Sequence, residues 1–79
     1  MVVKNVFVTE RGVKVAELEN GNLVASNHSM FIYPVEKVKE GYKVIGKEII
    51  SGWMMKSLQD FKEAVENVKE SEYNNSIKK

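Results

Sequence analysis

The sequence predicts an α+β domain: a small antiparallel sheet of about five strands, as a meander or a partly open barrel, with one C-terminal helix packed on it. Three observations lead there. Short apolar runs separated by turn residues fill the first 50 positions. Asn20-Gly21, between Ala16-Glu17-Leu18 and Leu23-Val24-Ala25, is the strongest hairpin signal in the chain, because the central residues of a type I′ turn take positive φ. Met54, Leu58, Phe61, Val65 and Val68 stand at spacings of 4, 3, 4 and 3, which is one stripe along an amphipathic helix.

The elements follow in order. Val2 to Thr9 reads as a strand with Val3 and Phe7 on one face and Val6 and Val8 on the other. Glu10-Arg11-Gly12 suits a short hairpin loop with a bulge, since a glycine stands third. In the strand Val13 to Glu19 the valines and Leu18 fall out of phase, which indicates a bulge or burial on both faces. Met30 to Tyr33 is a short apolar strand that Pro34 ends or places at a sheet edge, since proline cannot donate to a ladder. Val35 to Glu40 is a charged connection with room for a turn of helix, and Tyr42 to Ile50 is a fifth strand with Gly46 as a bulge. The helix runs from about 52 to 70 with Ser51 as N-cap; Ser57 with Asp60 is a second capping-box candidate that moves the start by two turns. Residues 1–70 thus form a single domain, and 71–79, polar and with a lone Ile77, form a flexible tail.

Composition narrows the function classes. A chain of 79 residues makes one small domain that buries only about 60% of the surface it exposes unfolded. It has no cysteine, so neither a disulfide nor a thiolate metal site supports it, and a partner subunit becomes a natural source of stability. No apolar run is long enough for a membrane helix, and the N-terminus has no signal-peptide pattern, so the expected location is the cytoplasm. On that reading the glycosylation-like triplets Asn27-His28-Ser29 and Asn74-Asn75-Ser76 are coincidental. Residues 1–50 carry seven basic and six acidic groups and residues 51–79 five of each, which leaves no field to steer a polyanion.

No pattern of side chains points to catalysis. His28 is the only histidine, too few for a zinc site, and as a loop residue between turn formers it reads as solvated. Ser29 beside it has no oriented base, and no glycine pattern cradles a phosphate. The sequence therefore predicts a protein that is not an enzyme and needs no cofactor or metal. The function it favours is a protein-binding module, a small stoichiometric regulator or inhibitor docking on a larger macromolecular partner. Its interface candidates are Trp53, Met54, Met55, Leu58 and Phe61, because three consecutive large apolar residues cannot all face one core and exposed aromatic-methionine clusters mark binding surfaces. Two alternatives remain open. One is a homodimer through the C-terminal helix, whose average spacing of 3.5 also fits a coiled-coil seam. The other is a nucleic-acid-binding β domain using Tyr42, Lys43 and Lys47, disfavoured because Glu36, Glu40 and Glu48 interrupt the lysines.

Overall fold

The computed structural model describes residues 1–27 and 30–77. Within them the order of elements is β1 (Val3–Val8), β2 (Lys14–Leu18), β3 (Leu23–Ser26), β4 (Phe31–Val38), β5 (Gly41–Val44), β6 (Ile49–Ile50), α1 (Leu58–Glu66) and α2 (Glu70–Ile77). The sheet is an antiparallel meander, β1-β2-β3-β4-β5, with β6 also paired to β4. This is the expected α+β fold, with two C-terminal helices rather than one. The readings of His28 as a solvated loop residue and of Ser29 as lacking an oriented base fall outside the described residues.

The first two hairpins share one turn geometry. At β1–β2, Gly12 N–H donates to the Thr9 carbonyl at 2.9 Å and Thr9 N–H to the Val13 carbonyl at 2.8 Å. At β2–β3, Gly21 N–H donates to the Leu18 carbonyl at 3.0 Å and Leu18 N–H to the Asn22 carbonyl at 2.9 Å. Gly12 and Gly21 have φ of 82° and 91°, whereas no described non-glycine residue has positive φ. Both loops are therefore three residues long with a glycine bulge. Asn20-Gly21 is not the type I′ pair its sequence suggests: Asn20 instead accepts the Asn22 N–H on its side chain at 2.9 Å.

Burial on both faces explains the irregular pattern of β2. Val15 and Ala16, adjacent and on opposite faces, are both fully buried. Ala16, Leu18, Val24, Ile32 and Ile49 form the main core with Met55, Phe61, Ala64, Val65, Val68 and Tyr73. Val15, Ala25 and Val35 form a second cluster on the other face, flanked by Phe7, Val13, Leu23, Tyr33 and Tyr42. The bulge lies not in β2 but in β1, between Val3 and Asn5. Phe7 on β1 and Tyr42 on β5 have ring centroids 6.3 Å apart. Four strand intervals in a flat sheet would separate them by roughly 19 Å. The sheet therefore curls until side chains of its first and last strands meet over the second cluster.

Pro34 corrects the expected strand ends. It lies inside β4, opposite Val24, and the chain beyond it continues as strand to Val38 instead of forming a charged connection with a helical turn. Its carbonyl accepts from Ile45 N–H at 2.9 Å, so its missing donor faces the β5 side. The ladder to β5 stops there. Beyond it the register to β6 is shifted by two residues, and residues 45–48 leave the sheet, so the single expected strand from Tyr42 to Ile50 is broken in two.

The helix begins later than Gly52. Gly52 has φ of 67°, and the Ser51 hydroxyl donates to the Met30 carbonyl at 2.8 Å, which anchors this segment to the sheet instead of capping a helix. Ser57 is the N-cap: Asp60 N–H donates to its Oγ at 3.1 Å, and its own N–H donates to the Asp60 carboxylate at 3.3 Å. Ser57→Ala is expected to cost about 1 kcal/mol, a drop in Tm of about 4–8 °C by differential scanning calorimetry; an unchanged Tm would show that the cap contributes nothing. At the other end, where no basic side chain stands in the last turn, the Met1 amino group donates to the carbonyls of Glu66 (3.0 Å) and Val68 (2.8 Å). The expected flexible tail is instead helix α2, with Tyr73 and Ser76 buried. Its final residues, Lys78 and Lys79, lie outside the described residues.

Candidate functional site

Four large apolar side chains stand exposed around the end of β6: Met30 at 39%, Ile50 at 64%, Trp53 at 37% and Met54 at 52%. The backbone brings these residues, though not one shared face, to the same end of the β4–β6 pair. Phe31, next to Met30, pairs with Ile50. Ser51 N–H and Oγ–H both reach the Met30 carbonyl, at 3.3 and 2.8 Å, and Trp53 N–H donates back to Ser51 Oγ at 3.2 Å. Alternation along β6 puts Ile49 inward, where it is buried, and therefore Ile50 outward. The left-handed turn at Gly52 then carries Trp53 and Met54 away from the sheet, before Met55 returns to the core.

The five interface candidates thus divide. Trp53 and Met54 lie on the surface, Leu58 is half-buried, and Met55 and Phe61 are buried at 2% and 0% exposure. Met55 and Phe61 offer no surface to a partner. The helix stripe likewise packs on the chain's own sheet, since Phe61, Val65 and Val68 all belong to the main core. Met30 and Ile50 join the patch without having been singled out. The signal for Ile50 was present in the adjacent pair Ile49-Ile50, of which a strand can bury only one on a given face. Nothing local marks Met30.

The nucleic-acid candidates do not converge. Tyr42 and Lys43 are neighbours on β5 and project to opposite faces. Lys43 pairs across the ladder with Glu36, and the Tyr42 ring already carries the Lys37 ammonium 5.0 Å from its centroid. Lys47 lies in the segment that leaves the sheet, where its N–H donates to the Ser76 carbonyl at 2.8 Å. Tyr42 instead helps line an open cleft of about 580 Å³ on the face without helices, with Val13, Ala25 and Val35 at its base and Glu10 and Glu40 among its polar lining.

Among the described residues no group of three or more histidines, cysteines or carboxylates is placed to hold a metal ion. Every buried side-chain nitrogen or oxygen among the described residues has a hydrogen-bond partner. Burial raises the pKa of the Tyr73 phenol above its ordinary value. No described helix is long and apolar enough to cross a membrane. No family model matches the chain, and no curated protein or solved structure matches it.

Proposed function

We propose that the chain is a non-catalytic protein-binding module, a small stoichiometric regulator or inhibitor of a larger macromolecular partner, acting in the cytoplasm. The observation that supports this reading is the exposure of Met30, Ile50, Trp53 and Met54 at one end of the β4–β6 pair. Large aromatic and flexible thioether side chains exposed together cost solubility, and they supply the kind of anchor on which interfaces concentrate their binding energy. The Ser51 hydroxyl, donating to the Met30 carbonyl and accepting from Trp53 N–H, holds this segment in place, so binding would lose little in ordering it.

The test compares the wild-type chain with Trp53→Ala and Ile50→Lys. Partners are first trapped by a photoreactive amino acid at position 54 and identified, and their affinities are then measured with purified components. Trp53→Ala is expected to weaken binding by about 30-fold, the scale of an interface hot spot. Its circular dichroism should stay that of the wild type, because the side chain is partly in solvent already. Unchanged affinity in both variants would remove the patch from the interface. Loss of folding in Trp53→Ala would assign the indole to the core instead.

A further inference from the structure

We infer that α2 is a strap that opens on its own while the sheet and α1 stay folded, and that its opening bares the apolar surface of Pro34 and Ile49. Helix α2 has eight residues, fewer than the ~12–15 at which an isolated helix becomes even marginally stable. Ser71, Asn74, Asn75 and Ser76 are weak helix formers that compete for backbone hydrogen bonds. Its attachment is correspondingly narrow. Tyr73 and Ile77 pack against the main core, Ser76 is buried, and the Ser76 carbonyl accepts the Lys47 N–H. The backbone receiving it is residues 45–48, the stretch that has left the sheet ladder at Pro34. By contrast, α1 has a full capping box and contributes Phe61, Ala64 and Val65 to the core.

Local opening free energies scale with the buried apolar contact that an opening unit gives up, so α2 belongs at the low end. What it uncovers is specific. Pro34 on β4 meets α2 at Gly46, and Ile49 on β6 shares the core with Tyr73, so an open strap uncovers apolar surface on the helix-covered face of this sheet edge.

The experiment is native-state hydrogen exchange by NMR on the full chain without any partner, for the wild type and for Asn74→Ala/Asn75→Ala, both positions being exposed. In the wild type the amides of 70–77 and of Lys47 are expected to exchange at least ~100-fold faster than the slowest amides of β2 and β3. The double variant strengthens the helix and should slow exchange over 70–77 about fivefold, leaving β2 and β3 unchanged. If α2 and the central strands exchange at one common rate, or the variant slows both together, α2 opens only by global unfolding and the strap is refuted. Because no partner is present, failure of the binding reading leaves this result unaffected.

Discussion

Phe61→Ala is expected to leave the chain largely unfolded at 25 °C. Phe61 is fully buried and, with Leu18, Ile32 and Val65, is among the largest fully enclosed side chains of the core. Truncating a buried phenylalanine costs about 3–5 kcal/mol, from lost transfer energy and from the cavity left behind. A 79-residue domain has in total roughly 4–12 kcal/mol, and one with no disulfide sits toward the lower end. Urea titration followed by circular dichroism measures the loss. A midpoint within a few tenths molar of the wild type would mean that the helix is not seated on the sheet as described. The same titration, run over a hundredfold range of protein concentration, addresses the helix-seam dimer. If the stripe is buried within one chain, the midpoint stays constant, whereas an obligate dimer would shift it upward with concentration.

Phe61 also marks how far periodicity carries. Phe61, Val65 and Val68 sit at helical spacing and are buried on the sheet, as an amphipathic stripe requires. Extending the same stripe back to Met54 fails, because the helix starts at Leu58 and residues before it no longer follow a 3.6-residue period. Met55, reaching the core from an irregular segment, takes the place given to Met54. The site was therefore legible only as a cluster: Trp53-Met54-Met55 could not all be buried, but which side chains emerged depended on Gly52 and on the Ser51 anchor to Met30, a contact 21 residues away in sequence.

Two further departures have tertiary causes. Pro34 is tolerated within β4 because the lane beside it breaks at that point, so the ladder loses its donor where the neighbouring strand is already leaving. Helix α2 was invisible because Tyr73 and Ile77 have no flanking stripe of their own. Their partners are the distant core and the 45–48 backbone, which supply what local propensity lacks. Strands, hairpins and the main helix follow from local pattern, whereas these late attachments follow from what the sheet leaves uncovered.

Gly46→Ala is the other substitution expected to have a large effect, and it acts at that attachment. A Cβ at position 46 would lie 2.5 Å from the Ser76 carbonyl oxygen, 2.9 Å from Pro34 Cγ and 3.0 Å from Ile77 Cα. Two of the three neighbours are backbone, and the Ser76 oxygen is also the acceptor of the Lys47 N–H at 2.8 Å, so it cannot withdraw without breaking that bond. The glycine is needed for space, not for a left-handed backbone, since its φ lies outside that region. Overpacking of this kind costs about 1–3 kcal/mol, and the lost hydrogen bond adds about 1 kcal/mol. Displacing α2 removes the two backbone contacts and leaves only the one with the Pro34 ring, so most of the loss is the energy with which α2 docks. The expected outcome is a chain whose sheet and α1 resonances persist while residues 70–77 move to random-coil shifts in the NMR spectrum. Full unfolding would show that α2 is integral to the cooperative core, and an unchanged spectrum with unchanged Tm would show that the helix does not rest on residues 45–48 at all.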